Sequence, residues 1–230
     1  MNTSIWGPPL WKILHTVSYS PDAVVKSQLV TEFIETLQFV LPCIYCRRSF
    51  QTFLGQMQQT YGETVTATIE KGDLAKWMYD VHNLVNHKLD EQKHPGIPGR
   101  GITFECLTKR YYIRPVSFDS SDVWEVLQIF ALNFPERNTS DYAEKMTAYI
   151  KFFQLVPEIL DLAGCCKKLI KLLRDSAQYF AVETTTSVFN FVTILKAYFY
   201  NQKNVEAYLT DEAQVFEMCR AGQCINGSCI

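Results

Sequence analysis

Apolar positions recur at three- and four-residue spacing along most of the chain, the pattern of helices that bury one face. Leu10, Ile13, Leu14 and Val17 form a first stripe, and Pro8-Pro9 suits its start because a missing N–H costs nothing there. Pro21-Asp22 ends it. Val25, Leu29, Phe33, Ile34, Leu37 and Leu41 form a second stripe, up to Pro42, and a third helix is expected from Cys43 to about Gln58. After a polar stretch, Gly72-Asp73 opens a fourth, with Leu74, Trp77, Met78, Val81, Val85 and Leu89 inward. Residues 94–101, HPGIPGRG, read as a loop, and 102–118 fit either an extended segment or a short helix.

The second half continues the pattern. Ser120-Ser121-Asp122 caps a helix through Leu132, Asp141–Gln154 follows and stops at Val156-Pro157, then Ile159–Leu173, Val188–Tyr200 and Val205–Met218. No strand alternation, internal repeat or low-complexity tract stands out. The fold class expected is all-α. The chain changes character near residue 118: all four histidines (His15, His82, His87, His94) and three of the four tryptophans precede it. Two domains follow from this, 1–118 and 119–230.

Composition excludes several classes. With 47% hydrophobic residues the 230-residue chain can build a real core, and a net charge of -2 offers no bulk attraction to nucleic acid or anionic membrane. No apolar run is long enough to span a bilayer, and the N-terminus lacks the basic and apolar regions of a signal peptide. Eight cysteines are many for a reducing compartment and sparse for a disulfide scaffold.

The chemistry concentrates in LPCIYCRRSF, residues 41–50. On a helix Cys43 and Cys46 share a face. A helix start beside Arg47 and Arg48 favours the thiolate that a redox dithiol needs. A structural zinc site would need a second such pair, and none exists, since Cys165-Cys166 are adjacent. WGPPLWKILH, residues 6–15, places Trp11 and His15 one turn apart, with Tyr19 a turn further. VHNLVNHKL, residues 81–89, sets His82, Asn83 and Asn86 on a mostly apolar helix. Taken singly, these two segments read as core packing and exposed polar residues.

The three segments in this order resemble the Erv/ALR family of FAD-linked sulfhydryl oxidases, over residues 5–92, and most closely its large-DNA-virus, mimivirus-type members. The resemblance implies an N-terminal four-helix bundle plus a short fifth helix binding FAD, with a second, all-helical domain after it that resembles no named family. It implies Cys46 as the cysteine beside the flavin and Cys43 as the one that meets the incoming dithiol. It further implies Gly7, Trp11, His15, Tyr19, His82, Asn83, Asn86, Lys88 and Leu89 as cofactor-binding residues and no metal. The structural disulfide of many members is expected to be absent, because Asp73 and Gly96 stand at its places, leaving Cys106 without a mate. The implied reaction oxidises protein dithiols and passes electrons through FAD to O2, giving H2O2. A symmetric homodimer is expected, because Val24, Val25, Val30, Phe39 and Val40 add apolar surface beside the second stripe. So is a virion or viral-factory location in the host cytoplasm. In the tail MCRAGQCINGSCI, Cys224 and Cys229 are a possible shuttle pair. The alternative reading is an all-helical interaction module with structural or zinc-binding cysteines.

Overall fold

The computed structural model describes residues 3–92, 101–113, 119–135, 142–177, 185–202, 224–225 and 228–229. The expected loop at 94–101, the expected helix Val205–Met218 and Cys219 lie wholly or almost wholly outside them.

The described chain is all-α. Its helices run α1 (Thr3–Ser18), α2 (Asp22–Val25), α3 (Ser27–Val40), α4 (Ile44–Tyr61), α5 (Val65–Glu70), α6 (Leu74–Glu91), α7 (Phe104–Thr108), α8 (Ser120–Leu132), α9 (Tyr142–Leu162), α10 (Lys167–Ser176) and α11 (Thr185–Phe199). A π-helical turn, Lys109–Ile113, continues α7. The one extended feature among the described residues is a two-residue antiparallel ladder, Cys224–Ile225 with Ser228–Cys229.

Local chemistry sets the boundaries. Gly62 ends α4 in the left-handed conformation (φ 69°), which carries no Cβ penalty for glycine. Thr64 caps α5 by accepting from the Ala67 N–H, and Asp119 caps α8 by accepting from Ser121, one residue before the expected cap. Residues 102–118, undecided by pattern, are helical over 104–113.

Other departures from the pattern are larger, and the helix expected over Ile159–Leu173 is divided between the end of α9 and α10. α1 begins at Thr3, so Pro8 and Pro9 lie inside it rather than at its start; buried Trp6 anchors the turn that precedes them. α9 runs through Pro157 instead of ending there. The lost backbone bond is offset by burial of Val156, Pro157, Ile159 and Leu160, and the break comes at Gly164 (φ 69°). Val25, assigned to the inner stripe, is 85% exposed because it closes the short α2.

α1, α3, α4 and α6 form the N-terminal bundle, with α1 on α6, α3 on α4 and α4 on α6. α3 also lies along α9, and α1 along α8, so one hydrophobic core continues through both halves. This corrects the basis for a homodimer. Val30 and Val40 are buried inside the chain, Phe39 is half-buried, and only Val24 and Val25 of the five residues invoked stay exposed. The apolar face meets the chain's own α8 and α9. Phe33 stacks on Phe152 at 5.5 Å, and Tyr149 donates to the Val40 carbonyl at 3.1 Å. Truncating Phe152 to Ala is expected to cost roughly 3–5 kcal/mol. A denaturant midpoint unchanged by that substitution would contradict this packing.

Candidate active site

Cys43 is the N-cap of α4, in extended conformation, and Cys46 falls in the helix's first turn. The helix therefore starts one residue later than expected, and the Cys43 side chain makes no capping bond to its free N–H groups. Arg47 is turned back to donate to the Leu41 carbonyl at 2.6 Å, fastening the end of α3 to the start of α4. Arg48 is exposed. Cys43 is 3% exposed and Cys46 is half-buried, the reverse of what an interchange cysteine and a cofactor-facing cysteine suggest. Ile44 and Tyr45 between them are exposed. Alkylation of the reduced protein is accordingly expected to modify Cys46 before Cys43; the opposite order by peptide mass mapping would contradict the burial.

α6 packs on both α4 and α1, and so brings its polar residues beside those of α1. Trp11 lies flat on His82, with ring centres 3.9 Å apart and planes within 6°. His15 Nε2 and His82 Nδ1 are hydrogen-bonded at 2.8 Å. His15 is 2% exposed, and its other nitrogen, Nδ1, is buried with no hydrogen-bond partner. Tyr19 bonds Thr108 of α7 at 2.9 Å and lies parallel to Tyr111 of the π-helical turn. Tyr111 also faces His15 at 5.4 Å.

The electrostatics follow from this enclosure. Burial, then the neighbouring His82 and Arg110, lower the His15 pKa from 6.5 to about 3. Burial lowers that of His82 to about 4. With these values both rings are neutral at pH 7, and one can donate to the other in their shared bond. Below pH 6.5 the unfolded chain takes up protons that the folded pair refuses. Stability is therefore present above pH 6.5 and is lost as pH falls toward 4. The expected outcome is a lower Tm at pH 5 than at pH 7, with a smaller drop in His82→Gln; equal Tm values at the two pH values would count against the pair.

Of the other residues assigned from sequence, Asn86 is buried, and Asn83, Lys88 and Leu89 are half-buried along α6. Gly7 is half-buried in α1, and a Cβ there would meet no atom within 4 Å, so chain packing does not require glycine. His87 is exposed and faces Glu91 at 3.3 Å. Trp77 is buried as a core residue. Cys106 is exposed on α7.

Sequence reasoning left Arg110 and Tyr111 unassigned. The signal for them was the basic-aromatic run KRYYI at 109–113, which has no fixed register until α7 docks on Tyr19. Among the described residues, no group of three or more His, Cys, Asp or Glu side chains is placed to hold a metal ion. No described helix is long and apolar enough to cross a membrane.

Residues 8–104, which hold the cysteine pair and the stacked aromatic, imidazole and amide groups of α1 and α6, match the model of the Erv1 / Alr family. Over 90 residues the chain is 27% identical to the mitochondrial FAD-linked sulfhydryl oxidase ERV1 of Saccharomyces cerevisiae, covering 38% of this chain and 44% of that protein. Over 91 residues it is 30% identical to the probable FAD-linked sulfhydryl oxidase R368 of Acanthamoeba polyphaga mimivirus, covering 38% of this chain and 60% of that protein. The chain thus spans about half the length of these relatives. No solved structure matches it.

Proposed function

We propose that the protein is an FAD-dependent thiol oxidase that forms disulfides in protein substrates. The observation that carries the reading is the buried, neutral His15–His82 pair under Trp11, with one ring nitrogen held away from water and without a partner. An unpaired buried acceptor or donor costs about 1–3 kcal/mol. Such a cost is retained where a ligand meets it. The residues fit a flavin dinucleotide. Trp11, His15, Tyr19 and His82 offer flat aromatic faces and ring nitrogens; Asn83, Asn86 and Lys88 offer donors for ribose and phosphate; Gly7 and Leu89 flank them. Arg110 and Tyr111 would add a positive charge and an aromatic face to this set.

Bound FAD would accept two electrons from the cysteine pair and hand them to O2, giving H2O2. The chain's own residues do the thiol chemistry. A substrate thiolate attacks Cys43 of the Cys43–Cys46 disulfide and forms a mixed disulfide, releasing Cys46 as the thiolate at the start of α4. The second substrate thiolate then attacks its own sulfur in the mixed disulfide. The substrate leaves oxidised, and both cysteines are left reduced. Neutral His15 and His82 add no imidazolium charge to the proposed cofactor site. Purified protein should carry FAD and consume one O2 per dithiothreitol oxidised; protein without flavin that contains zinc would favour the interaction module instead.

Cys224 and Cys229 extend the proposal as a shuttle. They are directly opposed in the tail ladder, and opposed residues of an antiparallel pair lie within disulfide reach. Truncation at Met218 should lower activity on a reduced protein more than on dithiothreitol. An unchanged ratio of the two activities would remove the shuttle. The resemblance to mimivirus-type members supports a virion or viral factory as the place of action.

A further inference from the structure

The helices of the second half pack in the same scheme as those of the first. α8 lies on α11 as α1 lies on α6, α9 on α10 as α3 on α4, and α10 on α11 as α4 on α6. Once the structure supplies the alignment, the sequence shows the same correspondence. WKILH, residues 11–15 of α1, answers to WEVLQ, residues 124–128 of α8. VHNLVN, residues 81–86 of α6, answers to VFNFVT, residues 188–193 of α11. Cys43 is the N-cap of α4, and Cys166 is the N-cap of α10. Depth matches too: Ile13 and Val126, Leu14 and Leu127, Val81 and Val188 are all buried.

The contact between the halves has twofold form. Each helix meets its own counterpart, α1 on α8 and α3 on α9, as in an isologous interface between two subunits. Its middle is aromatic, with Trp6 on Phe130 and Phe33 on Phe152. Its margins carry the ion pairs Lys12–Asp122 and Glu32–Lys151.

The second copy has lost the groups assigned to the cofactor and the dithiol. Gln128 stands in the register of His15 and is wholly buried. Its amide donates to Thr193 Oγ1 at 3.1 Å, and its carbonyl accepts from Lys196 Nζ at 2.9 Å, so α11 meets both ends of it. Phe189 stands in the register of His82, and buried Leu169 in that of Cys46.

We propose that residues 119–202 are a degenerate second copy of the 3–91 bundle, covering within one chain the face that a second subunit would take and binding no cofactor of its own. The working unit is then a single chain with one flavin site. The cofactor clause rests on the function proposed above; the pairing of the bundles does not.

A zero-length carbodiimide cross-linker applied to the full chain tests the pairing, because it joins Lys12 to Asp122 and Glu32 to Lys151 where they are in contact. These links are expected in a band that keeps the 26.5 kDa mass of one chain on a denaturing gel. Finding the same links only in a band of twice that mass would overturn the proposal. Flavin released by acid is expected at one per chain, and two per chain would overturn the plugged second site. Protein free of flavin would refute the oxidase reading, while the cross-links would still decide the pairing.

Discussion

Replacing Cys46 with serine is expected to abolish dithiol-dependent oxygen consumption while FAD stays bound. The expected loss is roughly three orders of magnitude or more, because a hydroxyl cannot take the thiol's place in disulfide exchange. Cys43→Ser is expected to give the same loss, because it removes the sulfur proposed to accept the substrate. Neither substitution opens a cavity of note, since serine differs from cysteine by one atom, and neither residue belongs to the imidazole–aromatic cluster on α1 and α6. Flavin content is therefore the control that separates a lost reaction from a lost fold. Wild-type oxygen uptake by Cys46→Ser would refute the assignment.

The second large effect is on cofactor retention. His82→Ala removes the ring that lies 3.9 Å from Trp11 and the partner of His15 Nε2. Loss of one stacking surface and one or two buried hydrogen bonds corresponds to about 1–3 kcal/mol, or roughly tenfold to a hundredfold weaker flavin binding. Asn86→Ala, on the same buried face of α6, is expected to act in the same direction. If both variants purified with full flavin content, α6 would not be the cofactor helix.

Much of this was legible in the sequence. The stripes at Leu10–Val17, Phe33–Leu37 and Leu74–Val81 give α1, α3 and α6 directly, because one face of each is fully apolar. Three short segments, whose order carries the resemblance, supplied the proposed redox pair and cofactor residues, and the structure brings Trp11, His15 and His82 of two of them together. What was not legible depended on tertiary contact. Pro157 reads as a stop, yet burial against the first bundle carries α9 through it. Arg110 and Tyr111 acquire meaning only when Thr108 meets Tyr19. The covered face of α3 was apolar in sequence, but nothing local says whether a second subunit or α9 covers it. The correspondence between WKILH and WEVLQ is too short to stand out from the pattern, and it becomes visible when α8 is seen to occupy the place of α1.

The central claim is that electrons pass from a substrate dithiol through Cys43 and Cys46 to a bound flavin. Anaerobic titration of the purified protein with dithiothreitol, followed by its visible spectrum, tests it most directly. The account predicts a yellow protein whose flavin band bleaches as dithiol is added and returns when O2 is admitted, with no bleaching in Cys46→Ser. A flavin band that stayed unchanged in the wild-type protein, or that bleached equally in Cys46→Ser, would contradict it.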